Sequence, residues 1–99
     1  MIRHTVAFSL HHSAGSAEEA DFLEAARALA DIPGVQQFEQ LRQVSPKSEF
    51  TFCFSMEFGT QQAYQHYNDH PVHTAFVRGR WEPEVAAFQE LDFVPLSTS

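Results

Sequence analysis

Apolar and polar side chains alternate from Arg3 to Leu10, with His4, Val6, Phe8 and Leu10 on one side and Arg3, Thr5, Ala7 and Ser9 on the other. Such a period of two marks a half-buried strand. The rhythm returns more strongly from Phe50 to Phe58, where Phe50, Phe52, Phe54, Met56 and Phe58 oppose Thr51, Cys53, Ser55 and Glu57. A face so rich in phenylalanine requires a thick helical cover. Weaker alternation predicts a strand from Val35 to Val44, joined to the Phe-rich strand by a turn at Ser45-Pro46-Lys47-Ser48. A last strand runs from Val85 to Val94, with Phe88, Glu90 and Asp92 on one side and Gln89, Leu91 and Phe93 on the other.

Helical spacing fills the gaps between these strands. Ser16 with Glu19 three residues on is a capping box, and it opens a helix over Ala17 to Asp31 whose apolar stripe is Phe22, Leu23, Ala26, Leu29 and Ala30. Pro33-Gly34 stops it. Thr60 caps a helix from Gln61 to Asp69, and Pro71 suits the first turn of a continuation through about Arg80, with a kink at His70-Pro71. Glu82-Pro83 breaks this helix, and Pro95 to Ser99 form a tail.

The order strand, helix, strand, strand, helix, strand is that of a ferredoxin-like α+β domain: a four-stranded antiparallel sheet with both helices on one side. The other side carries Thr5, Ala7, Ser9, Thr51, Cys53 and Ser55, which are small rather than strongly charged. Such a face suits a second sheet about 10 Å away, supplied by another copy of the chain. A homodimer through face-to-face sheets is therefore expected; the alternative is a monomer with a modestly polar exposed face.

Composition narrows the partners. With 99 residues, 43% of them hydrophobic, residues 1–99 are expected to form a single domain around one core. Thirteen acidic residues against six basic ones give a formal charge of −7, which opposes the phosphate contacts that nucleic acid would need. No apolar run approaches the roughly 20 residues of a membrane span, and the amino terminus lacks the apolar stretch of a secretion signal. The chain reads as cytoplasmic, without nucleic-acid or membrane partners, and its single cysteine, Cys53, as a reduced residue.

Chemistry concentrates in Tyr67-Asn68-Asp69-His70-Pro71-Val72-His73. Tyr67 and His70 can share a helix face, and His73 lies one turn on. His4 occupies an otherwise apolar strand face directed at the helices, where an imidazole needs a partner or water. These positions predict a cavity between sheet and helices, entered by His4, Tyr67 and His73 and walled by Val6, Phe8, Phe22, Phe54, Met56 and Phe76. There His73 would act as general base beside a carbonyl, Tyr67 would hold the developing oxyanion, and His4 would polarise a second oxygen. The expected ligand is small, flat, apolar and oxygenated. Structural roles are the alternative, with His70 capping the restarted helix and His73 bound to backbone. His66 and His70 have the spacing of two metal ligands but no evident third, so no metal site is expected. Nor does any phosphate loop or nucleophile elbow appear, and no cofactor is expected.

The stretches Ile2-Arg3-His4-Thr5-Val6-Ala7-Phe8, Ile32-Pro33-Gly34-Val35, Phe58 with the following helix, His70-Pro71-Val72-His73-Thr74-Ala75-Phe76-Val77 and Asp92-Phe93 resemble the stress-responsive α/β-barrel (Dabb) family, from Ile2 to about Pro95. The resemblance implies ferredoxin-like subunits paired face to face into a dimeric α/β barrel. His4, Tyr67 and His73 are similar to the polar pocket positions of the family's plant polyketide cyclase, which closes a linear tetraketide to olivetolic acid without a cofactor. Two functions follow from the likeness: a stress-responsive dimeric barrel whose cavity is vestigial or binds a small apolar ligand, or a cofactor-independent cyclase, lyase or isomerase working through a His/Tyr pair.

Overall fold

A computed structural model describes residues 1–97. Strand β1 (Ile2–Leu10) leads through a loop into helix α1 (Ala17–Ala26), which tightens into a 3-10 segment, Arg27–Asp31. Strands β2 (Gln36–Arg42) and β3 (Phe52–Phe58) follow, then helix α2 (Gln61–Asp69) and helix α3 (Pro71–Phe76). Beyond α3 the chain widens into a π-helical turn, Val77–Trp81, makes a last helical turn at Glu82–Glu84, and ends in strand β4 (Val85–Phe93). Of the expected tail, Thr98 and Ser99 lie outside the described residues.

The predicted caps are in place. Ser16 Oγ accepts from the Glu19 amide at 3.2 Å, Thr60 Oγ1 from the Ala63 amide at 3.1 Å, and His70 Nδ1 from the Val72 amide at 3.1 Å. Each satisfies an amide that the first helical turn leaves without a carbonyl. His70 thereby ends α2 and starts α3, with Pro71 in the first turn where its missing N–H costs nothing. Gly34, at φ 95°, turns the chain so closely under α2 that a Cβ there would stand 3.3 Å from Ala63 Cβ.

The four strands form an antiparallel sheet in the order β2-β3-β1-β4. This is the ferredoxin-like α+β arrangement expected from the element order. The expected barrel is not formed, because the sheet stays open: its edges are β2 and β4, which do not pair with each other. Four strands are also too few to curl shut, since small closed barrels take about eight. β2 is shorter than predicted and carries a bulge between Gln36 and Glu39, with Gln37 at φ 52°. The extra residue shifts the alternation, which explains why its sequence pattern is weak.

Alternation places the core as expected. Phe8, Phe22, Phe54, Met56 and Phe58 are all but fully buried between sheet and helices. Phe8 packs edge-on against Phe54 at 4.7 Å between centroids and meets Trp81 at 5.0 Å. On the opposite face Leu91 and Phe93 of β4 and Leu41 of β2 stand about half exposed beside Ala7 and Cys53. Burial raises the Cys53 thiol above its ordinary pKa, so nothing there activates it. Among the described residues, no helix is long and apolar enough to cross a membrane.

Candidate functional site

A cavity of about 480 Å³ opens between the inner sheet face and the segment from α2 to the start of β4. Its apolar wall includes Val6, Phe54, Met56 and Phe76, all named from the sequence, together with Trp81 and Phe88. Phe8 and Phe22, named with them, lie behind Trp81 in the packed core, 5.9 Å apart between ring centroids, and do not reach the cavity. His4, Tyr67, His73, Glu82 and Glu90 supply the polar wall.

The structure brings His4, Tyr67 and His73 together. Tyr67 lies at the centre: its ring is 4.4 Å from that of His73 and 6.2 Å from that of His4, centroid to centroid. Both histidines are oriented through Nδ1. His4 Nδ1 sits 2.6 Å from Asp92 Oδ1 and 2.8 Å from the Tyr64 hydroxyl, which itself donates to Asp92 Oδ2 at 2.8 Å. The strand register makes this triangle, because His4 stands opposite Asp92 on the neighbouring strand. A carboxylate acceptor fixes the proton of neutral His4 on Nδ1. Among the described residues every buried side-chain nitrogen and oxygen has a partner, and Nε2 of His4 makes no internal bond, so it must open onto the cavity that His4 lines. The same reasoning puts the hydroxyl of Tyr67, a residue only 2% exposed, at the cavity surface.

His73 Nδ1 donates to the Asn68 carbonyl at 3.1 Å, which leaves Nε2 as the acceptor. The backbone contact weighed in the sequence therefore exists, and it orients a ring that also lines the cavity. Burial lowers the His73 pKa below the ordinary histidine value, against smaller opposing effects of the Asn68 bond and Glu90. The ring is thus neutral near pH 7 and able to take a proton. Burial, with the Glu90 carboxylate as a second cause, raises the Tyr67 pKa, keeping it a neutral hydrogen-bond donor. Tyr64 is held protonated likewise, by burial first and then by Asp92.

Sequence reasoning missed Tyr64, Trp81, Glu90 and Asp92. Tyr64 is three residues before Tyr67 and shares its helix face, and Asp92 follows Glu90 in the alternation of β4; both signals were present but needed the strand register to be read. The histidines His66 and His70 approach to 5.7 Å between ring centroids, and among the described residues no group of three or more His, Cys, Asp or Glu side chains could hold a metal ion.

The model of the Stress responsive A/B Barrel Domain family matches residues 2–95. A Dabb family protein with a ferredoxin-like fold from Mesorhizobium loti is 59% identical, with 97% of each chain covered and a TM-score of 0.95. A hydroxynitrile lyase from Passiflora edulis is 13% identical, covers 99% of this chain and 96% of its own, and has a TM-score of 0.83. A dimeric ferredoxin-like protein of unknown function from Thermobifida fusca is 20% identical, covers 95% and 90%, and has a TM-score of 0.78. Comparison with curated proteins gives no match. The second and third structures share the fold with this chain at identities too low to carry more.

Proposed function

Since the chain belongs to the stress-responsive A/B barrel (Dabb) family, we propose that its cavity is a cofactor-independent acid–base site for a small, flat, apolar carbonyl compound. One observation carries this reading: His4, Tyr67 and His73 border a single cavity of about 480 Å³ with aromatic walls. That combination of apolar wall and few convergent polar groups is the usual form of a small-molecule site.

In the proposed reaction His73 Nε2 removes a proton from the carbon beside the carbonyl. The electron pair of the broken C–H bond moves onto the carbonyl oxygen, which takes a hydrogen bond from Tyr67. His4 Nε2, bare in the neutral ring, accepts a hydrogen bond from a second oxygen of the ligand if that oxygen carries a proton, and Asp92 with Tyr64 keeps it in place. The imidazolium formed at His73 is favoured by the nearby Glu90 carboxylate. Return of the proton to a different atom gives isomerisation; attack of the new carbanion on a second carbonyl gives ring closure. The shared frame with a hydroxynitrile lyase supports the reading to the extent that this fold can host lyase chemistry.

The test is proton exchange at the α-carbon of 2-tetralone, followed in D2O by NMR. The wild type should exchange it, and His73→Ala and Tyr67→Phe should each lose roughly 10²–10⁴-fold, the range of a general acid–base contribution. Exchange by His73→Ala at the wild-type rate would overturn the assignment.

We further propose that two copies pair through the outer sheet faces. Leu41, Leu91 and Phe93 expose 43%, 48% and 50% of their surface there, the first two opposite the small side chains of Cys53 and Thr5 and the third opposite Arg3. Light scattering should give the mass of two chains for wild type and of one for Leu91→Lys with Phe93→Lys; a monomeric wild type would refute the pairing.

A further inference from the structure

Charge distinguishes this cavity from a generic apolar pocket. Glu82 and Glu90 both belong to its wall, and no lysine or arginine does. Neither carboxylate has an ion-pair or hydrogen-bond partner among the described residues, in contrast to Glu84, Glu57 and Asp92 nearby. The arginines of the neighbouring helical turn do not compensate: Arg80 binds Glu84 and Asp21, and Arg78 is exposed and absent from the wall. The histidines do not offset the negative charge. His73 is held neutral by burial, and His4 is matched by Asp92, so that pair is at most neutral. The chain as a whole carries −7.

Resting on the reading of the cavity as a ligand site, we infer that Glu90 is its specificity-determining residue, admitting uncharged carbonyl compounds and rejecting carboxylic acids of the same shape. Glu90 stands on the inner face of β4 opposite Val6, at the exposed edge of the sheet. A ligand in contact with Val6, Tyr67 and His73 has this carboxylate beside it, and Glu90 already acts electrostatically on both Tyr67 and His73. An incoming carboxylate would meet two like charges without a counter-ion, in a space whose walls are mostly hydrocarbon. Such an arrangement discriminates by repulsion rather than by a better fit for the favoured ligand. A reaction whose product is a free carboxylic acid would also expel that product promptly.

A matched pair of probes reads this directly. The compounds 2-naphthamide and 2-naphthoate have the same outline and differ in charge at pH 7.5. Titration followed by the indole N–H signal of Trp81, the single tryptophan, should give an amide affinity at least tenfold above that of the acid. Glu90→Gln, at an exposed position where folding is not at stake, should strengthen naphthoate about tenfold relative to naphthamide. Raising salt to 0.5 M should narrow the wild-type gap, because exposed charges are screened. Equal affinities in wild type, or a ratio unmoved by Glu90→Gln, would overturn the charge selection while leaving 2-tetralone exchange to decide the chemistry. Binding of neither probe would remove the ligand site itself, and this inference with it.

Discussion

Replacing Asp92 by alanine tests the triangle that orients His4. In the wild type the Asp92 carboxylate accepts from His4 Nδ1 at 2.6 Å and from the Tyr64 hydroxyl at 2.8 Å. Without it, the Tyr64 hydroxyl has one acceptor left within reach, His4 Nδ1 at 2.8 Å. The hydroxyl must then donate to Nδ1, and the proton of the neutral ring moves to Nε2. Two bonds to a charged acceptor are lost, each contributing about 1.5–3 kcal/mol when unscreened, and one neutral bond of about 1 kcal/mol is regained. The Asp92 side chain is 42% exposed, so water screens much of the loss, and a net cost of roughly 1–2 kcal/mol remains. For a domain of this size that lowers Tm by about 4–16 °C. Nitrogen-15 spectra at pH 8.5 report the tautomer, and a thermal melt reports the cost. A His4 proton that stays on Nδ1, together with a Tm within 1 °C of wild type, would refute the reasoning.

Other consequences are as direct. Burial depresses the His73 pKa, so below about pH 6.5 the unfolded chain takes up a proton that the folded chain resists. This part of the stability is present above pH 6.5 and lost as pH falls through the folded value; urea midpoints at pH 7.5 and 5.5 should differ less in His73→Gln than in wild type. Glu84 accepts from Arg80 and from His12, which together pull its pKa below the ordinary carboxylate range, and Glu84→Gln should cost about 1 kcal/mol by urea unfolding at pH 7. Gly34→Ala combines φ 95° with a Cβ 3.3 Å from Ala63 Cβ, and should destabilise by roughly 1–3 kcal/mol, while Gly59→Ala, with nothing within 4 Å, should stay within about 1 kcal/mol.

The strand faces were legible because the period of two survives where one face is buried and the other is not. His4 and Val6 were placed toward the helices on that ground, and Phe52, Phe54 and Met56 likewise. Caps were legible because Ser16, Thr60 and His70 accept from neighbouring amides, a local interaction that spacing alone specifies. Trp81 was not legible. Ordinary helical winding does not bring it onto the face of Phe76. In the π-helical turn the hydrogen-bond step is five residues, and Phe76 and Trp81, five apart, both reach the cavity. Asp92 was hidden for another reason: its partner His4 is 88 residues away, and only the register of β1 against β4 joins them. Phe8 and Phe22 were assigned to the cavity wall because nothing in the sequence says that an indole will stand in front of them.

That widened turn has a practical corollary for anyone reshaping the pocket. Excising one residue between Val77 and Gly79 would return the segment to regular winding and set the indole four residues after Phe76, still on the same side of the axis. Regular winding of the present residues, with none removed, would instead carry it about 140° around the axis and off the rings of Phe8 and Phe54, which it now covers at 5.0 and 6.4 Å. Length and winding are thus matched here, and a change in one without the other would unroof the guest space while leaving His4, Tyr67 and His73 in place.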